Sequence, residues 1–162
     1  MTSPATSRRR ARPRFDSPEQ DVFLGLWRTY DRLKAIEDEF FDGWDLTGQQ
    51  YNVLRLLDLA SAPLPTLEIA SRLVSRAPDI TRMLDKLEAR GWIVRERLAG
   101  DRRQVHVSLT PAGHELLAEL AQPLRECHER QLGHLTRTEL KALSVLLRAA
   151  RRIHEPDSSP WR

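Results

Sequence analysis

Arginines at two places in this chain stand where a guanidinium can act on a partner. Arg76 and Arg82 are six residues apart in a stretch with apolar positions three and four apart. Arg102 and Arg103 are adjacent, directly after Gly100-Asp101. A guanidinium presents a planar fork of donors that matches a phosphate, or the N7/O6 edge of guanine, with two parallel hydrogen bonds. Around the first pair lie Ser75 and Thr81 as phosphate donors, Pro78 as an apolar contact, and Asp79 and Lys86 on the same outward face. Two readings of Asp79 are open: an acceptor for a cytosine amino group, or a carboxylate that orients Arg76 or Arg82. Around the second pair, Asp101 is suited to hold the arginines in orientation. Arg95 and Arg97 share one face of the alternating segment before it, where they can reach phosphates. The plain alternative at both places is a solvated, salt-bridged surface. The like-charged pair Arg82 and Lys86, four apart, slightly disfavours that alternative.

Other chemistry lacks a pattern. An enzyme needs a nucleophile beside a base, a phosphate-cradling loop or a ligand cluster. The glycines are isolated, and His106, His114, His128, His134 and His154 are scattered. Cys127-His128 with His134 is the one tempting metal group, but its spacing matches no standard site. We therefore expect no catalysis, no metal and no cofactor. The single cysteine excludes an internal disulfide and fits a reducing cytoplasm. No apolar run reaches membrane-span length, and no leader core is evident, which argues against insertion and export. Net charge is +3, and residues 1–14 alone carry five arginines, so the rest of the chain is slightly acidic. Overall basicity therefore names no partner. The segment 66–103, with nine Lys/Arg against six Asp/Glu, is locally basic.

The elements that must position these arginines follow from apolar period and caps. Residues 1–15 read as a disordered basic tail, either a DNA-touching arm or a solubilising segment. Ser17-Pro18 opens a long helix carrying Val22, Phe23, Leu26, Trp27, Tyr30, Leu33 and Ile36, ended by Gly43. Thr47 and Gln50 form a capping box for a second helix, and Ser61 to Pro65 reads as a turn. Thr66 opens a short third helix with Leu67, Ala70, Leu73 and Val74 inward. Ser75 opens a fourth, running to Arg90, with Ile80, Met83, Leu84 and Leu87 inward and Gly91 as its stop. The period then switches to two over Trp92 to Leu98 and over Val105 to Leu109, joined by Ala99 to Arg103. Thr110-Pro111 restarts helix, with Pro123 in its middle, and Thr136 with Glu139 caps the last helix. Residues 155–162 fray.

The expected fold class is mainly α with a small β-hairpin wing. A winged helix-turn-helix over 46–110 is flanked by helical segments 16–45 and 111–154, the whole forming one domain over 16–154. A helix of this kind fits the major groove, and an arginine-tipped hairpin beside it reaches a narrow minor groove, whose negative potential favours arginine.

The pieces LTGQQYNVLRLL, TLEIASRLVSRAPDITRMLDKLEARGWIVRE and DRRQVHVSLTPAG resemble the MarR family of winged-helix regulators. Asp101 and Arg103 fall at that family's wing signature. The resemblance implies a homodimer built from the first and last helices, binding a double-stranded DNA pseudopalindrome. It also implies repression relieved by a small aromatic or phenolic effector, held between the dimer helices and the winged module. Trp27, Tyr30, Trp44, Tyr51 and Arg55 are the candidates to line that effector site, against the alternative that such aromatics are simply core. Some relatives sense peroxide through a first-helix cysteine, which this chain lacks; Cys127 reads as a packed or interfacial thiol. The competing reading is a ligand-binding or protein-interaction dimer that keeps the winged fold without specific DNA binding.

Overall fold

The computed structural model describes residues 15–73, 79–98, 101–157 and 159, with backbone alone at 98 and 101–103. Residues 1–14 of the basic tail, Ser75, Arg76 and Pro78 lie outside the described residues, as do the side chains of Asp101, Arg102 and Arg103. Among the described residues, six helices and three short strands follow one another as α1 (Pro18–Asp42), α2 (Gly48–Asp58), β1 (Leu64–Pro65), α3 (Thr66–Arg72), α4 (Ile80–Ala89), β2 (Ile93–Leu98), β3 (Asp101–Leu109), α5 (Pro111–Leu132) and α6 (Arg137–Arg152). The fold is mainly helical with a small antiparallel sheet, as the sequence indicates. Contacts divide it within α1 into two units, Met1–Ala35 and Ile36–Arg162.

Local chemistry explains the helix limits. Thr47 accepts from the Gln50 amide while Gln50 Oε1 accepts from the Thr47 amide at 2.9 Å, the reciprocal box that opens α2. Thr136 and Glu139 repeat it at α6, and Thr110 caps α5 with Pro111 in its first turn. Gly91, at φ +73°, supplies the left-handed residue that stops α4. Asp45 also takes a positive φ of 52°, a region where Asp is tolerated better than most residues. α5 runs through Pro123 without a break.

The larger unit has one core. Phe41, Leu46, Val53, Leu54 and Leu57 pack with Ile69, Leu84, Leu87, Ile93 and Val107, and α5 adds Leu116, Leu120, Leu124 and Cys127. Phe41 lies against Phe40 and Tyr51, with ring centroids 5.0 and 5.2 Å away. Cys127 is fully buried, and burial pushes its thiol pKa up, which leaves it a packed, unreactive group.

Four features differ from the sequence reading. Leu64–Pro65 is a strand, giving sheet order β1-β3-β2, where a turn was expected. Pro65 is tolerated there because β1 is an edge strand. In α3 the inward residue is Ile69, fully buried, while Leu67 is 82% exposed. α4 starts at Ile80, capped by Asp79, and not at Ser75. β3 begins at Asp101, so Arg102 and Arg103 belong to the strand and not to the connecting loop. The hairpin register shifts between Glu96 and Leu98, a bulge that twists the outer wing.

Candidate nucleic-acid interface and ligand cavity

α4 is amphipathic in the way a groove-reading helix requires. Leu84 and Leu87 are fully buried and Ile80 and Met83 pack beside them. Thr81, Arg82, Asp85, Lys86 and Ala89 form the exposed stripe. Asp79 Oδ1 accepts from the Arg82 amide at 3.0 Å, so that oxygen is committed to the cap. The cap places Thr81 and Arg82 in the first turn, at the end a docked helix directs towards base edges. Among the described residues, the Arg82 guanidinium has no hydrogen-bond or ion-pair partner. Ten residues of α-helix span roughly 15 Å, enough to follow one stretch of major groove.

Arg95 is placed differently from expectation. Its Nε and Nη2 donate to Glu88 Oε2 at 2.9 and 2.5 Å, and Nη2 also pairs with Asp85 Oδ1 at 2.6 Å. Its backbone amide donates to Glu88 Oε1 at 3.2 Å. Arg95 therefore braces the wing strand β2 against α4 instead of standing free for phosphate. Arg97, its neighbour on the strand face, is exposed and is not without partners. At the far end of α4, Arg90 pairs with Asp45 and lies 4.3 Å over the Trp92 ring, tying the helix to the loop before α2.

The brace has a pH signature. The Arg95 hydrogen bonds hold the Glu88 carboxyl below its ordinary value of 4.5. A carboxylate lowered in the folded state stabilises above its unfolded pKa, and that contribution fades as pH falls through the folded value. Glu88→Gln should therefore be less stable than wild type in urea melts at pH 7. The gap should close well below pH 4.5, and a gap that persists there would remove the charged brace.

The five effector candidates do not share one described cavity. Tyr51 and Arg55 line a cavity of about 540 Å³ between α2 and α5. Asp58, His114, Arg125 and His128 join them there, with an apolar wall from Leu117 to Leu124. Burial raises the Tyr51 phenol pKa. Trp44 packs against the core instead. In the N-terminal unit, Trp27 lines a groove with Leu24 and Arg28, its ring 6.1 Å from that of Phe23, and Tyr30 is exposed. Sequence reasoning missed Asp58, His114, Arg125 and His128 because no periodic pattern joins residues about sixty positions apart. Among the described residues, no group of three or more His, Cys, Asp or Glu is arranged to hold a metal ion.

Known proteins share this fold. The MarR family model matches residues 46–105, from the start of α2 into the wing. The crystal structure of a MarR transcription factor from Planctomyces limnophilus is 53% identical, covers 83% of this chain and 98% of its own, and superposes with a TM-score of 0.65. The multiple antibiotic resistance protein MarR of Salmonella typhimurium is 34% identical over 76% of this chain and 85% of its own length. The chain belongs to the MarR family. Transcription regulation and DNA binding are the character of MarR proteins, and they are not enzymes. The transcriptional repressor MprA of Escherichia coli is 38% identical over 81 residues, half of this chain but only 46% of MprA. The MarR-matched segment contains the whole of α4 and its brace to β2.

Proposed function

We propose that this chain is a homodimeric, sequence-specific double-stranded DNA-binding regulator of transcription, acting as a repressor that a small aromatic ligand releases. The observation that carries the DNA reading is Arg82, whose guanidinium has no partner among the described residues, in the first turn of a helix braced to the wing by Arg95. An exposed guanidinium at a helix start is available to read a base edge, and the brace makes helix and wing a single docking unit. Thr81 and Lys86 complete the helix surface in this reading, and Ser75, Arg76 and Pro78, which precede the helix in sequence, contribute further DNA contacts. Asp101, Arg102 and Arg103 supply the wing contact to the minor groove, with Arg97 beside them. Repression carries over from the name of MprA, and the effector site is the cavity holding Tyr51 and Arg55.

The dimer reading rests on unburied apolar surface. α6 has no buried residue, and its Val145, Leu146 and Leu147 are exposed in the single chain. In the N-terminal unit Val22, Phe23, Trp27 and Tyr30 are each about 60% exposed. Apolar stripes of this kind call for a partner surface. A second copy supplies one and sets two α4 helices about one helical turn apart, roughly 34 Å, on a pseudopalindrome. Among the described residues no helix is long and apolar enough to cross a membrane.

Titration of duplex DNA against salt tests the function. Affinity should fall linearly with salt on logarithmic axes, and selection from random duplex should return an inverted repeat. A dimer that ignores duplex at low salt would remove the proposal. Leu146→Glu should shift the protein towards monomer by light scattering and weaken duplex binding at least tenfold at nanomolar protein, because a lone half-site forfeits the second set of contacts. An unchanged dimer would move the interface away from α6.

A further inference from the structure

Three carboxylates lie on or beside the exposed face of α4, and they are not equally engaged. Asp79 gives Oδ1 to the Arg82 amide and sits at the cap, before the helix itself. Glu88 uses both oxygens on Arg95, Oε1 for its amide and Oε2 for its guanidinium. Asp85 gives only Oδ1, which lies 2.6 Å from Arg95 Nη2. Its side chain is 56% exposed, and among the described residues Oδ2 has no partner.

Position sharpens the contrast. At about 3.6 residues per turn, Asp85 falls between Thr81 and Arg82 around the axis, inside the exposed stripe, whereas Glu88 falls at its edge. Arg82 and Asp85 are three apart, hence neighbours on that face, with roughly 4.5 Å between them along the axis. Base pairs follow one another about every 3.4 Å. The two side chains therefore meet adjacent pairs when α4 lies in the groove.

A carboxylate facing polyanionic DNA is unfavourable unless it is neutralised and given a donor. Arg95, reaching across from β2, neutralises Asp85 and holds its carboxylate in one orientation. An ionised carboxylate can only accept. In the major groove cytosine offers the N4 amino donor alone. Adenine sets the N7 acceptor beside its amino group, and guanine offers acceptors only, so both repel a carboxylate.

We propose that Asp85 determines sequence specificity: its Oδ2 accepts a hydrogen bond from a cytosine N4 amino group, on the base pair next to the one that Arg82 meets. The proposal rests on the regulator reading and names a base that this reading leaves open. Arg95 then has two tasks. Through Glu88 it ties the wing to α4, and through Asp85 it sets an acceptor in the groove.

The test is selection from random duplex with the full chain, comparing wild type, Asp85→Asn, Asp85→Ala and Glu88→Gln. Wild type should return a cytosine at one position of each half-site. Asp85→Asn should change that base to adenine, whose N6 and N7 suit a carboxamide, and leave the rest of the consensus as it was. Asp85→Ala should lose the information at that position. Both variants leave the hydrogen bonds between Glu88 and Arg95 in place, so a loosened wing does not account for the change. Glu88→Gln loosens the wing and should lower affinity while keeping the cytosine. A second measurement needs no new fold: N4-methylcytosine at the selected position should weaken wild type roughly tenfold, within the range for one mismatched pair, and Asp85→Ala less than twofold. If either Asp85 variant keeps the cytosine, or N4-methylation weakens Asp85→Ala as much as wild type, Asp85 belongs to the brace alone and the proposal is overturned while the regulator reading stands. If wild type itself enriches no site, the regulator reading falls and the role of Asp85 with it.

Discussion

Arg82→Ala should cost the protein its base preference before it costs the protein its fold. Arg82 is exposed, its backbone amide is what Asp79 caps, and the cap survives truncation of the side chain. Thermal melts should therefore match wild type to within the small scatter of surface substitutions. On the best selected duplex the affinity should fall by about 1–3 kcal/mol, roughly five- to hundred-fold, the usual discrimination of one bidentate arginine–base contact. On random duplex the loss should be much smaller. If Arg82 meets phosphate instead, the variant loses affinity uniformly and its salt slope falls by about one. Selection on randomised sites separates the two: the base-reading role requires information to vanish at specific positions. The same consensus with the same information content would remove it.

Gly113→Ala should be the most damaging small substitution at the joint between wing and α5. A Cβ at that position meets the Trp92 carbonyl at 2.3 Å and Leu109 carbons at 2.7 and 2.9 Å. The first neighbour is backbone, held there by the Thr110 amide, so it cannot swing aside. Overpacking of this kind costs about 1–3 kcal/mol, and the upper end applies where backbone must move. Ala is the better helix former by about 1 kcal/mol, which offsets part of the cost. A net loss of about 2 kcal/mol remains, or a fall of roughly 4–8 °C in Tm for a chain of this size. Duplex affinity should fall as well, because the hairpin root must shift to make room. A melt equal to or above that of wild type would mean that α5 and the hairpin are not locked as described.

The helix boundaries that the sequence reveals are those written in local chemistry. Thr47 with Gln50 and Thr136 with Glu139 complete their reciprocal bonds within four residues, so no distant contact intervenes. Gly91 is legible for the same reason. α3 is not: seven residues make two turns, and Leu67 and Ile69 both fit an apolar face until the sheet buries one of them. Ser75 and Asp79 are both good caps, and only the fold selects Asp79 for α4. β1 is two residues with a proline, too short to show a period.

The site is less legible than the fold. Arginines at a helix start and on a hairpin stand out by type and spacing, yet those types do not reveal which are free. Arg95 and Glu88 are seven apart across a helix–strand junction, a spacing that neither helical nor strand period brings together. Asp58 and His114 meet only because α2 and α5 pack side by side. Tyr51 and Arg55 share a face by helical spacing, but their partners in the cavity come from α5.

Dimethyl sulfate interference on a selected duplex tests the central claim most directly, because the reagent marks both grooves at once. It methylates guanine N7 in the major groove and adenine N3 in the minor groove. With α4 in the major groove and the hairpin in the minor groove of each half-site, guanine N7 methylation should block binding in two clusters. These should lie about one helical turn apart, with adenine N3 interference outside each. Interference confined to adenine N3, or none at guanine N7 in a site rich in guanine, would contradict the placement of α4.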